Sequence, residues 1–458
     1  MVLRQFPGHR LAGPGLSLAE SVAGASGSAP GAAAADSTPV ASATRPDGPL
    51  RVCLLSYRSD PYSGGQGVYV KYLSRALARR GHDVTVVSGK PYPDLDPAID
   101  LVELPGENVV DAEDRLRAFQ LEYLREPAKL FEWASVLTGG FPDPYAFGRR
   151  AVEFLEDRGD EFDVVHDNQS LCYGLLDLLE RDLPTVATIH HPITADREIA
   201  LDHADGLTES LFVRRWYRFL RMQKRVARQL PHVISVSAAT KARTVADFGV
   251  DPASISVVHN GIDTDLFRPR PDVPERSNRI MTTVSADVPL KGARYLLEAF
   301  AKLRDSNPDA ELVVVGEFDE GGTAATTIEE LGVADAIATH SEISYDRMTE
   351  LYASAAIAVV PSLYEGFGLP AAEAMACGVP TVATTGGALP EVVGEAGRLV
   401  PPGDADVLAT AMDELLESPG VRERLGDRAR ERVTRTFDWD RTARQTVDTY
   451  RQAIDAHR

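Results

Sequence analysis

A chain of 458 residues with 44% hydrophobic and 25% charged residues is long enough for two domains with their own cores and has an ordinary globular make-up. A formal net charge of −20 argues against nucleic acid as the main partner, because phosphate backbones select basic surfaces. No apolar run reaches the roughly 18 residues of a membrane span, and Cys53, Cys172 and Cys377 lack metal-ligand spacing, so they are expected as buried free thiols in a reducing cytoplasm.

Residues 1–48, rich in Ala, Gly, Ser and Pro, cannot bury enough apolar surface to offset ordering entropy and read as a disordered tail; without a continuous apolar core they are no signal peptide. Folded structure is expected from Arg51 to Ser56, a buried strand. A loop to Gln66 with Gly64 and Gly65, a helix to Arg80 and a strand from Asp83 to Ser88 complete a βαβ unit. The loop is not a dinucleotide fingerprint, and a lone Gly-Gly says little by itself. From Pro91 to Gly159 the pattern is helical but irregular. A strand over 163–166 runs into Asp167-Asn168-Gln169, and one over 185–189 ends in His190-His191-Pro192. Strand C-termini are the ligand edge of an open α/β sheet.

The stretch 209–230 reads as one helix with Phe212, Trp216, Phe219, Gln223, Val226 and Leu230 on one face. Arg214, Arg218, Arg221, Arg225 and Arg228 form a stripe on another. Two readings stand: a core-packing helix with a solvated basic back, or a patch making peripheral contact with anionic membrane lipid or a lipid-phosphate acceptor. Strands and a helix follow to Val258. The segment Asn260 to Pro269 then closes the first domain (49–268), and 269–278 reads as a hinge.

The second domain (279–436) opens with a strand over 279–284 and Lys291 at a loop–helix junction, where it can meet a phosphate as a point charge. A strand over 311–316 precedes another over 356–360. Then comes PSLYEGFGLPAAEAMACGVP, residues 361–380. Gly366 and Gly368 keep the backbone bare for close approach, and Pro370 suits the first turn of a helix. A helix N-terminus after a glycine loop is an anion site. Glu365 and Glu373 flank that loop. Two amphipathic helices over 404–434 and a last helix within 437–458 finish the chain.

The E-G-F-G-L-P core, the A-M-A-C-G-x-P tail and the strand–loop–helix setting together resemble the signature of the retaining glycosyltransferases of family 4, group 1. The likeness runs from about Leu50 to the end. It implies a GT-B fold of class α/β, with two Rossmann-like parallel-sheet domains facing a central cleft and the last helix packed back on the first domain. It implies a nucleotide-sugar donor, UDP- or GDP-linked, and transfer to an acceptor hydroxyl with retention, in glycan biosynthesis. No metal or other cofactor is expected, Asp263-Thr264-Asp265 reading as a cap or hinge rather than a metal motif. The acceptor is unassigned, with lipid-linked, polysaccharide and small-molecule hydroxyls all compatible. By resemblance, Gly64 and Gly65 lie over the donor pyrophosphate. His190 orients the transferred sugar, and Lys291 with the amides of Gly366, Phe367, Gly368 and Leu369 holds the phosphates. Glu365 sits by the sugar hydroxyls and Glu373 by the ribose. The chain departs from the family at Ala286, where an arginine usually precedes the lysine; Arg294 is the candidate substitute. The stretch from Thr384 to Glu391 resembles the family's G-G-x-x-E loop and is expected as a further amide surface near the sugar or phosphate.

Two rivals remain: a glycosidase using the two glutamates, disfavoured because a retaining pair needs carboxyls about 5 Å apart, and a nucleotide-sugar binder without turnover.

Overall fold

The structure, a computed structural model, describes residues 48–60, 65–106, 123, 126–202, 204, 206–284, 288–319 and 321–457. Gly64, Ala286 and the tail before Gly48 lie outside the described residues. Two parallel sheets organise the chain. The first is built from β1 (Arg51–Ser56), α1 (Gly65–Arg79), β2 (Asp83–Ser88), β3 (Asp100–Glu103), α2 (Pro127–Leu137), α3 (Asp143–Glu156), β4 (Val164–Asn168), α4 (Gly174–Glu180), β5 (Thr185–Ile189), α5 (Thr194–Asp202), α6 (Gly206–Trp216), α7 (Leu220–Ala227), β6 (Val233–Ser235), α8 (Ala238–Phe248) and β7 (Ile255–Val257). Its strand order is β3-β2-β1-β4-β5-β6-β7. The second is built from β8 (Arg276–Val284), α9 (Ala293–Ser306), β9 (Glu311–Gly316), α10 (Thr323–Leu331), β10 (Ile337–His340), α11 (Tyr345–Ala353), β11 (Ala355–Val360), α12 (Leu369–Ala376), β12 (Thr381–Thr384), α13 (Leu389–Val393), β13 (Arg398–Val400), α14 (Ala405–Leu416) and α15 (Pro419–Thr436). Its order is β10-β9-β8-β11-β12-β13.

These are two Rossmann-like sheets, each covered by helices on both faces. That is why strands such as Ala355–Val360 are apolar throughout and buried at every position. Strand order reverses between β1 and β4 in one sheet and between β8 and β11 in the other. Loops leaving those strands splay apart and open a crevice at the C-terminal edge. Gly65, Lys291 and Glu365 follow β1, β8 and β11, and His190 follows β5, the neighbour of β4.

Local differences from the sequence reading have local causes. The strand expected from Arg279 starts at Arg276, whose N–H already joins the ladder to Ser354 O (3.0 Å). Strand β3, inside the stretch read as helical, is a short edge whose four residues are half-exposed or exposed, so no buried alternation marks it. The helix expected over 209–230 breaks at a 3-10 turn, Tyr217–Phe219. Trp216, Tyr217, Phe219, Leu220 and Val226 all enter one core cluster, more than one straight helix face could bury.

The last helix, α16 (Trp439–Ala456), crosses to the first domain and lies on α1. Trp439 stacks on Tyr72 with ring centroids 5.5 Å apart. Beneath it runs a buried polar chain. Tyr450 Oη meets His166 Nδ1 (2.6 Å), His166 Nε2 meets Thr188 Oγ1 (2.7 Å), and Thr188 Oγ1 meets Tyr69 Oη (3.0 Å). Burial pushes His166 down to about 3, which keeps this chain uncharged. All three cysteines are buried and free.

Candidate active site

The first wall of the crevice is assembled by the turn after β4. Gln169 (φ 57°) and Leu171 (φ 45°) sit in left-handed conformations that bulky residues avoid. The turn persists because Asp167 accepts from the Leu171 N–H (2.9 Å) and the Ser170 hydroxyl. From it Asn168 and Gln169 clamp the end of β5. Asn168 Nδ2 donates to Ser56 Oγ (3.2 Å) and Gln66 O (3.3 Å), which leaves Oδ1 as the acceptor for His190 Nε2 at 2.6 Å. The His190 proton is therefore on Nε2, and Nδ1 is left as an acceptor. Burial pushes His190 down to about 3, and the edge of Tyr69 packs on its ring at 4.7 Å. His190 is thus a neutral, oriented hydrogen-bond acceptor. Asn168 and Gln169, at the expected ligand edge, are buried and serve to hold the histidines: Gln169 Oε1 accepts from the His190 N–H, and its Nε2 donates to His191 O (2.7 Å).

The second wall follows β8 and β11. Lys291, in the 3-10 turn Pro289–Lys291, places Nζ 2.8 Å from Glu365 Oε1, and Ser362 Oγ donates to the same oxygen at 2.8 Å. Gly368 (φ 98°) caps α12 and turns the chain from glycine loop to helix. Pro370 stands in the first turn, as expected. The Glu373 carboxylate, half-buried one turn in, accepts no hydrogen bond among the described residues, and burial pushes it up to about 7. Of the paired glutamates, one is held by a cation and the other is left near its titration midpoint at neutral pH. Phe367 is expected at the donor through its backbone amide, and its side chain points away from the crevice. Its ring is buried in the second-domain core, 5.4 Å from the Phe437 ring, which leaves only its backbone for a ligand.

The walls touch at Gly366. A Cβ there would fall 2.1 Å from His190 O. Ser237 Oγ (2.7 Å) and Thr240 Oγ1 (3.0 Å) donate to Gly366 O across the same seam. Gly65, at the start of α1, faces Leu369 of α12, 3.5 Å from a Cβ built on the glycine to Leu369 Cδ1. Glu391 has a role the sequence did not reveal. Its carboxylate accepts from the Ala238 N–H (2.9 Å), at the start of α8, and pairs with His259 Nε2 (2.5 Å), strapping α13 to the first domain. Asp263 accepts from the Leu266 N–H (3.2 Å) and pairs with Arg75 (2.8 Å), a cap and an ion pair. Arg294, the candidate substitute, is largely exposed and paired with Glu298 one turn on (2.8 Å). No group of three His, Cys, Asp or Glu side chains is placed to hold a metal ion among the described residues.

Outside the crevice, Trp216, Phe219, Gln223, Val226 and Leu230 are buried, while Phe212 is only partly so. Arg214, Arg218, Arg221, Arg225 and Arg228 are exposed, and so are Leu207 (85%) and Leu211 (66%) of α6. Among the described residues no helix is long and apolar enough to cross a membrane.

Comparison with known proteins adds to this geometry. Residues 63–266 match the family described as Glycosyltransferase Family 4, and residues 266–432 match Glycosyl transferases group 1. A curated relative from Mycolicibacterium hassiacum, an MMP alpha-(1->4)-mannosyltransferase, is 47% identical over 409 residues, covering 88% of this chain and 98% of its own length. The D-inositol 3-phosphate glycosyltransferase of Mycobacterium bovis is 31% identical, over 89% of this chain and 84% of its own. Among solved structures, a sucrose-phosphate synthase from Thermosynechococcus elongatus aligns with a TM-score of 0.69 at 25% identity, covering 89% of this chain and all of that one.

Proposed function

This chain belongs to the group 1, family 4 glycosyltransferases, and we propose that it moves a mannosyl residue from a UDP- or GDP-linked donor to an acceptor hydroxyl with retention of configuration. The carrying observation is the near-complete likeness to a mannosyltransferase, 47% identical over 98% of that protein. The crevice chemistry is consistent with it. As the bond between the anomeric carbon and the diphosphate oxygen breaks, both electrons stay with that oxygen. Lys291 and the N-terminus of α12 oppose the growing negative charge. The proton of the acceptor hydroxyl passes to the leaving diphosphate. His190, neutral and fixed by Asn168, accepts from a sugar hydroxyl through Nδ1. Glu365, shared with Lys291, meets the sugar hydroxyls, and Glu373 meets the ribose diol. On this reading Lys291 and the helix dipole do the work of a metal ion.

The test is turnover of GDP-mannose, UDP-glucose and related donors with simple mannosides, with and without chelator, the product's anomeric configuration being read by NMR. One donor is expected to support transfer in chelator with retention, and Lys291→Ala is expected to lower kcat by about 10²-fold or more. Inversion, or dependence on a divalent ion, would remove those parts of the reading. Binding without any transfer would favour the binder.

The exposed Leu207 and Leu211 beside the arginine stripe support a second element, peripheral contact with anionic lipid at the cytoplasmic face of a membrane, where a lipid-linked acceptor would be reached. Co-sedimentation with phosphatidylglycerol vesicles, lost on Arg218→Glu/Arg225→Glu, is expected; equal sedimentation with neutral vesicles would overturn it.

A further inference from the structure

His191 and Asp196 are not needed to hold His190, yet they form a built pair on the same wall. Asp196 Oδ2 lies 2.9 Å from His191 Nε2, both side chains being largely buried. Gln169 fixes the backbone of His191 from both sides, accepting from its N–H (3.3 Å) and donating to its carbonyl (2.7 Å). The side chain leaves the backbone beside the glycine loop of the other domain, its Cβ 2.9 Å from where a Cβ on Gly366 would be. Helix α5, which carries Asp196, packs against the Pro289–Lys291 turn. His191 therefore lies between the glycine loop and the turn bearing Lys291. With Nε2 committed to Asp196, Nδ1 is the nitrogen left for a ligand.

The charge balance of the crevice gives this placement a purpose. A sugar nucleotide brings a diphosphate whose negative charge grows as the leaving bond breaks. Lys291 is already shared with Glu365 at 2.8 Å, five positions before it stands Ala286, and Arg294 is turned out to Glu298. We propose that His191, anchored by Asp196, is a second cationic contact for the donor diphosphate, facing it from the first domain while Lys291 faces it from the second. The proposal rests on the donor reading above. A diphosphate gripped from both walls would also hold the two domains together, so donor binding and closure would be one event.

The groups facing His191 are Asp196 from α5, Glu365 and Lys291 from the other wall, and neutral His190 beside it. Burial opposes charging the ring, but the adjacent Asp196 carboxylate outweighs it, with Lys291 subtracting and Glu365 adding, and the imidazole is raised above its ordinary range. A group so raised keeps its proton into neutral pH and loses it as pH climbs.

The experiment measures affinity of the full chain for GDP-mannose and UDP-glucose, without acceptor, from about pH 5.5 to about pH 8.5. The diphosphate of a sugar nucleotide does not ionise in this window. Glu373 does, so the signal is the difference between wild type and His191→Ala. Wild type is expected to weaken about tenfold more across the range than His191→Ala, which should match it only at the alkaline end. His191→Arg should bind at least as tightly as wild type at acid pH and hold that advantage throughout. Asp196→Asn should move the transition to lower pH. Thermal melts report whether each variant folds, and His191→Arg serves as the folded control if the alanine form does not. Equal profiles for wild type and His191→Ala, or loss of affinity in His191→Arg, would overturn the proposal while leaving the donor reading intact. Tighter binding with rising pH that vanishes in His191→Ala would overturn it, because a cationic contact cannot strengthen as its proton leaves. If wild type binds neither donor, the donor reading falls and takes the proposal with it.

Discussion

The two walls of the crevice handle charge in opposite ways. On the first, His190 is buried into neutrality and oriented by amides and hydroxyls, with a buried neutral His166 behind it joined to the last helix through Tyr450. On the second, Lys291 and Glu365 form an ion pair, and Glu373 stays within reach of its own protonation. A neutral histidine such as His190 can position a sugar by hydrogen bonds without adding charge beside the phosphate. A charged wall can bind and then stabilise a leaving diphosphate. The two domains therefore have separate roles. On the proposed reading one orients and the other carries most of the charge, and the two meet at Gly366.

The largest expected effect comes from keeping the walls apart. Gly366→Ala introduces a Cβ 2.1 Å from His190 O, a contact that only opening the domains relieves. Each domain keeps its own core, so the melting temperature should change by only a few degrees, while kcat/KM should fall on the order of 10²-fold. Small-angle scattering with donor present should show a larger particle than wild type. Wild-type turnover in this variant would mean that the seam is not the working geometry.

A smaller effect separates the walls by pH. Glu373 is raised from 4.5 to about 7, so between these values the folded protein keeps a proton that the unfolded chain has released. Its stabilising contribution is complete below the lower value and is lost as pH rises through about 7. His190 and His166 are lowered from 6.5 to about 3, so their contribution is lost as pH falls through that window. Glu373→Gln should therefore be more stable than wild type above neutrality, on the order of 1–2 kcal/mol, with the acid limb unchanged and donor affinity reduced. Denaturant melts across pH would show it; an unaltered alkaline limb would place Glu373 in water rather than in the crevice.

The second wall was legible in the sequence because it is nearly contiguous. Glu365, Gly366, Gly368 and Glu373 lie within nine residues, and a buried strand, a glycine loop and a helix start each leave a compositional mark. Lys291 was readable from its own surroundings, at the junction between the loop after a buried strand and the next helix. What composition could not say was where Phe367 points, since an aromatic between glycines suits a ligand surface and a core equally well.

The first wall was only half legible. Apolar runs located β4 and β5, and the strand ends gave His190 and the Asp167-Asn168-Gln169 turn. The tautomer of His190, the grip of Gln169 on both histidines, the Glu391 strap and the joining of Tyr450 to His166 across 284 positions belong to the tertiary structure. Periodicity reports which residues leave water. Hydrogen bonds between residues far apart in the chain depend on which strand ends become neighbours, and that is decided only when the sheets close.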